Sequence, residues 1–237
     1  MNKQVFIIFS LVYFLFNFSI VTAQEETLST PALKSPIPLA PGNDDRLIID
    51  ITLDNFAESP ASMEVNTFKS RGVNMKLMKD KLISNPSFSI GYGLAFGSQN
   101  FDTDRLIIVD DTAGRTHFVP IDPNIDVNKN KLSVNYLDLP IELRFRSKTI
   151  NKDNKFKISA GFKIGILLQS HIKYDDDDGK VKYYRIKNLN KYRYGLEGRI
   201  GYGIWGLNAY YSLIPLFDED KAPRLVPVSF GLSITPF

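Results

Sequence analysis

Three groups of side chains in this sequence could carry chemistry: a run of aspartates, a serine beside a histidine, and charged residues recurring at every second position. Asp175 to Asp178 precede Gly179, and clustered carboxylates before a glycine suggest a calcium loop. With Gly179 at the sixth loop position, Tyr174 takes the first and Arg185 the twelfth, where oxygen ligands are required. The spacing fails, so the run reads as a solvated hairpin tip. Asp122, Asn124, Asp126 and Asn128 form another oxygen-rich stretch without the glycine or the distal glutamate, and it reads as loop. His117 and His171 are far apart in sequence. Ser170 beside His171 puts a nucleophile next to a base, but adjacent strand residues point to opposite faces and make no dyad. Gly91-Tyr92-Gly93 and Gly201-Tyr202-Gly203 lie in alternating segments with no helix to follow, so they are not phosphate loops. No catalytic, cofactor-binding or metal site is expected, and the chain reads as non-enzymatic, with no cofactor.

The elements that would position the recurring charges are strands. In 87–97, Phe88, Ile90, Tyr92, Leu94 and Phe96 share one face, and Ser89, Gly91, Gly93, Ala95 and Gly97 the other. The same period of two runs through 137–145, 156–168, 192–202 and 226–234, with shorter versions at 47–53, 73–77 and 207–213. Long polar connections at 57–69, 98–131, 174–191 and 216–224 alternate with short ones near Asn85, at 147–154 and around Gly203. An up-and-down barrel with its termini on the periplasmic side has this alternation: short periplasmic turns, long extracellular loops.

The apolar face carries bulky Phe, Tyr, Ile and Leu on nearly every strand, whereas the other is rich in Gly and Ser. An eight-stranded interior is just wide enough to be filled by side chains. Small residues and paired charges fit it, and stacked aromatics do not, so the apolar face is expected to meet lipid. A soluble carrier with the faces reversed is the competing reading. Tyr202 and Trp205 flank the turn at Gly203, where an interfacial aromatic girdle belongs, and Tyr192 and Tyr194 lie toward the other rim. The inward set is then Asp50, Lys76, Asp138, Glu142, Arg144, Lys157, Lys163, Arg193, Glu197 and Arg199, and opposite charges there must pair. A salt-bridge plug is expected, with a conducting or proton-relay lumen as the alternative.

Composition agrees. The chain has 237 residues, enough for one core, and its 29 basic and 26 acidic residues are interspersed without a basic stripe. Nucleic acid is therefore not expected as a partner. Cysteine is absent, which excludes disulfides and thiolate chemistry. Residues 1–23 read as a signal peptide: Lys3 precedes an apolar run from Val5, and Val21-Thr22-Ala23 offers the cleavage site. A retained anchor helix is the alternative. Residues 24–45, with Pro31, Pro36, Pro38 and Pro41, read as a periplasmic tether, and 46–237 as the barrel domain.

The run Tyr136-Leu-Asp-Leu-Pro-Ile-Glu-Leu-Arg-Phe resembles the "Y-L-(D/E)-(L/I)-P" strand of the PorT-like outer-membrane β-barrel proteins. Ser87-Phe-Ser-Ile-Gly-Tyr-Gly-Leu is similar to the strand after that family's first periplasmic turn. Tyr194-Gly-Leu-Glu-Gly-Arg-Ile-Gly-Tyr, Ala209-Tyr-Tyr-Ser-Leu and Pro215-Leu-Phe resemble its final hairpin, and Val228-Ser-Phe-Gly-Leu-Ser-Ile-Thr-Pro-Phe its closing strand. Pro236 departs from the pattern and puts Phe237 out of phase with Phe230 and Ile234. The resemblance implies a Gram-negative outer-membrane barrel, and its name suggests an accessory subunit of a type IX-like secretion or assembly machine. Asp111-Thr112-Ala113 resembles a short O-glycosylation motif of bacteria that carry this family. The expected role is structural, surface-interacting or complex-forming, with a lipid-modifying enzyme as a further alternative. Expected partners are outer-membrane lipids including lipopolysaccharide, and other envelope proteins through loops 98–131 and 174–191 or tail 24–45.

Overall fold

The computed structural model describes residues 47–83, 85–110, 112–122, 124–125, 127–147, 155–177 and 179–236. The expected signal peptide 1–23 and tail 24–45 lie outside the described residues, as do Asp111, Asp126, Asp178 and Phe237.

The strands are β1 (Leu47–Glu58), β2 (Arg71–Ile83), β3 (Asn85–Asp102), β4 (Arg105–Asp110), β5 (Arg115–Pro120), β6 (Val127–Arg146), β7 (Phe156–Asp176), β8 (Gly179–Tyr184), β9 (Tyr192–Tyr202), β10 (Trp205–Ser212) and β11 (Val226–Ile234). Antiparallel pairing runs β1-β2-β3-β6-β7-β9-β10-β11, and β11 pairs back onto β1. Eight strands therefore close into a barrel. Closure leaves the wall no unpaired edge, which is what strands in lipid require. At the short end, β9 and β10 join through Gly203 and Ile204. Gly203 has φ 60°, matching the first position of a type II′ turn, where glycine is favoured. Tyr202 and Trp205 face each other across that turn.

Every segment read from periodicity falls on a barrel strand, with β9 and β11 at the expected bounds and β10 running from Trp205 to Ser212; β1, β2, β3, β6 and β7 are longer, and the long connections are not structureless. β3, β6 and β7 extend well into 98–131 and 174–191. β4 and β5 form a separate hairpin, and β8 folds back on the far end of β7. The reading of these stretches as polar loops is corrected here, and β6 gives the reason. From Asn130 to Arg146 the even-numbered residues of β6 face the lumen, yet its apolar residues change sides. Leu132, Val134 and Tyr136 are buried inside, whereas Leu139, Ile141 and Leu143 are more than half exposed outside. The belt surrounded by lipid is apolar outward. Beyond it, the wall meets water and is apolar inward, so a single-phase pattern ends at Leu137. On β7 the inversion coincides with a bulge that leaves Leu168 without an opposite residue on β6.

Ile141 lies on the outward face near the middle of the belt run of β6. Ile141→Arg is expected to weaken folding into phospholipid vesicles by about 2–4 kcal/mol, read by urea titration. Unchanged stability would mean that this face does not meet hydrocarbon.

Candidate functional site

Period-two alternation sends every second side chain into the lumen, and the ten charged residues expected there all point inward. At the centre, Lys76 Nζ lies 2.7 Å from Glu197, 3.4 Å from Glu142 and 3.5 Å from Asp50. Arg199 reaches Glu142 at 3.3 Å and Asp50 at 3.9 Å. Toward the short turns, Arg144 bridges Glu142 at 2.8 Å and Asp80 at 2.7 Å, and Arg146 donates to the other Asp80 oxygen. Lys157 donates to Thr235 at 3.2 Å. Toward the long connections, Lys163 lies 3.8 Å from Glu197 and 4.0 Å above the Tyr210 ring. Arg193 grips Asp138 with two donors at 2.9 and 2.5 Å, donates to Gln99 at 2.7 Å and stacks 3.9 Å from the Tyr136 ring.

Asp54, Asp80 and Arg146 join this network although the inward set did not include them. The period-two alternation visible in the sequence of β1 and β2 ends at Leu53 and Leu77. On β2 the alternation continues through Met78 and Asp80, but outward Lys79 and Lys81 remove the apolar face that marks it.

Glycines make room for these ions. A Cβ on Gly165 would fall 1.9 Å from Asp138 Oδ1, and one on Gly97 2.6 Å from Arg193 Nη2. What space remains is small. A cavity of about 30 Å³ lies among Asp50, Lys76, Glu142, Glu197 and Arg199, and one of about 20 Å³ lies near Arg144 and Thr235. Each holds at most a water or two.

Above the ions, the mouth is closed by an apolar cluster. Phe101, Leu132, Val134, Tyr136 and Ile172 from the wall meet Met63, Leu189, Leu216, Phe217 and Leu225 from the connections. Phe56 stacks on Phe101 at 4.2 Å, and Phe118 meets Phe217 edge-on at 5.6 Å. Hydrogen bonds join one connection to the next: Thr116 N–H donates to Lys221 O at 2.7 Å, and Asn190 Nδ2 donates to Pro215 O at 2.9 Å and Phe217 O at 3.0 Å. The connections thus form a folded cap.

Taken with that geometry, the comparison with known families is decisive. The model of the outer membrane protein beta-barrel domain family matches residues 51–220, from within β1 into the connection before β11. The chain belongs to that family. No curated protein matches it.

In this outer-membrane barrel, the other candidate residues lie in the connections or in the wall around the mouth. Ser170 points inward and accepts a hydrogen bond from Ile186 N–H at 3.0 Å, while His171 lies on the outer face beside the Tyr184 ring. The two do not meet. His117 is exposed on β5. Asp175 pairs with Lys180 at 3.2 Å, and Asp122 accepts from Asn124 in a local turn. Among the described residues, no group of three His, Asp or Glu could hold a metal ion. Thr112 is exposed at the β4–β5 tip, where the N–H groups of Ala113 and Thr112 hold the Asp110 carboxyl below its usual range.

Gly165→Ala would press a methyl group into the Asp138 carboxylate. It is expected to cost about 1–3 kcal/mol of barrel stability. Gly179→Ala serves as the comparison for surface strain, since nothing lies within 4 Å of that position. A neutral Gly165→Ala would contradict the tight fit around the Arg193–Asp138 pair.

Proposed function

We propose that this chain is a closed-lumen outer-membrane barrel with a structural, surface-interacting or complex-forming role, and not an enzyme. The observation that carries this reading is the filled interior: ions through the belt and an apolar cluster across the mouth. Such a barrel is a rigid mount. What varies on a rigid mount, and what recognises partners, is the set of loops it displays.

In this reading the long connections face the cell exterior and the short turns face the periplasm, the arrangement usual for such barrels. The folded cap then presents the β4–β5 and β7–β8 hairpins to partners. Exposed Ile108, Val119, Val181 and Tyr183 on these hairpins supply apolar contact surface. The Pro-rich stretch 24–45 would follow removal of a signal peptide and hang in the periplasm as a second contact.

The test is purification of the tagged protein from its native outer membrane in mild detergent, with mass spectrometry of what accompanies it. Envelope proteins in fixed ratio, lost when residues 105–120 are replaced by a short Gly-Ser linker, are expected. A barrel carrying only lipid in both forms would contradict a complex-forming role. In planar bilayers the purified protein is expected to show no steady conductance, since the lumen cavities hold only a water or two. A stable open channel would overturn the closed-lumen reading.

A further inference from the structure

Beyond the apolar belt, the outer wall of the barrel carries a charge pattern that its own pairing leaves unbalanced. Lys131 on β6 lies directly opposite Lys173 on β7, which lies directly opposite Lys182 on β8. All three face outward, because the neighbouring Leu132 and Ile172 are buried in the mouth cluster. Side chains so opposed are about 5 Å apart at Cβ, and like charges in that position destabilise a sheet. Lys129 and Arg71 add to the positive field at Lys131. The carboxylates nearby offset it only in part. Asp102, opposite Lys131, is shared with Lys69 and Lys129, and Asp175 is taken up by Lys180. Asp176 and Asp177 lie at the hairpin tip, farther from the belt than Lys173. From the belt outward the wall of β7 is therefore apolar, then basic, then acidic. An anionic layer at the membrane surface would meet the basic zone, with the acidic tip clear above it.

Height selects the kind of anion. Leu137 marks the edge of the belt on β6, level in register with Phe96, Ile166 and, through Ile166, Tyr192. From Leu137 to Lys131 the strand rises about 20 Å, or about 15 Å in height at a tilt of about 40°. The headgroup layer of a phospholipid leaflet is only about 5–8 Å thick. The lysine row therefore stands above phospholipid phosphates and suits a taller anionic head.

We infer that the outer wall formed by β6, β7 and β8 binds the acidic, phosphorylated saccharide headgroup of an outer-leaflet glycolipid through Lys131, Lys173 and Lys182. The acyl chains of that lipid lie along the belt below, against Leu137, Ile166 and Leu168. This rests on the reading that the long connections face the cell exterior.

The experiment offers the full chain, purified in mild detergent, to phosphatidylcholine vesicles containing rough-type lipopolysaccharide, and measures captured glycolipid by native mass spectrometry. Lys131→Gln/Lys173→Gln/Lys182→Gln is compared with Lys79→Gln/Lys81→Gln, which removes two outward lysines near the short turns. Heat-modifiable migration on gels confirms that each variant is folded. The wild type and the Lys79/Lys81 variant are expected to capture equally, and the row variant about ten-fold less. Equal capture by the row variant overturns the site. Displacement by excess phosphatidylglycerol overturns the saccharide and assigns the row to simple phospholipids. Orientation is read separately. The chain has no cysteine, so Thr112→Cys gives a single thiol for an impermeant maleimide on intact cells. Labelling is expected, and its absence would overturn the outward reading without touching the capture result.

Discussion

Charges buried inside a narrow barrel must find partners, and much of this structure follows from that constraint. Lys76 and Glu142 are almost fully withdrawn from solvent, at 2% and 1% exposure. Taking such ions out of water costs several kcal/mol each, and attraction offsets it only when geometry is good and the remaining donors and acceptors are satisfied. The lumen supplies the attraction through shared partners. Glu142 serves Lys76, Arg144 and Arg199 at once, while Asp50 serves Lys76 and Arg199 and accepts from Ser233. Because each ion faces several strands, the network also specifies register: a slip of one residue would point a strand's charges into lipid. The glycines opposite these ions belong to the same solution, since a side chain at Gly97 or Gly165 would displace an ion pair.

A second constraint acts along the strands instead of across them. The wall rises beyond the belt into water, and there the requirement on the two faces reverses. Tyr136 and Leu137 are neighbours on β6, one buried in the lumen and the other at the edge of the lipid-facing run. That pair of adjacent apolar residues marks the boundary. Above it, inward Phe101, Leu132, Val134 and Ile172 create an apolar surface that the connections cover. Closure of the mouth is therefore the hydrophobic effect acting on the part of the barrel outside the membrane.

The belt was legible in the sequence because lipid on one side and packed ions on the other give strict alternation of large apolar with small or charged residues. Phe88 to Phe96 on β3 is the clearest case. Those positions gave the strand count, the facing and the inward charges. The cap was not legible. Its apolar residues, such as Met63, Leu189, Phe217 and Leu225, are scattered among polar neighbours with no period, and only the closed barrel brings them together. Asp80 escapes the pattern for a related reason: its segment leaves the belt, where outward Lys79 and Lys81 turn polar and the contrast between faces fades. The lysine row across β6, β7 and β8 is likewise invisible one strand at a time, since it exists only through register.

The central claim is that the belt lumen is a mutually dependent ion network, and Lys76 is the place to test it. Unfolding from phospholipid vesicles by urea should be compared for the wild type, Lys76→Met and Lys76→Met/Glu197→Gln. The single change takes the 2.7 Å partner from Glu197, leaving Lys163 at 3.8 Å, and is expected to cost about 3–5 kcal/mol, with much of the loss regained when the glutamate is neutralised. A Lys76→Met protein as stable as the wild type would contradict the account, because it would mean that water, and not pairing, carries the charges in the lumen.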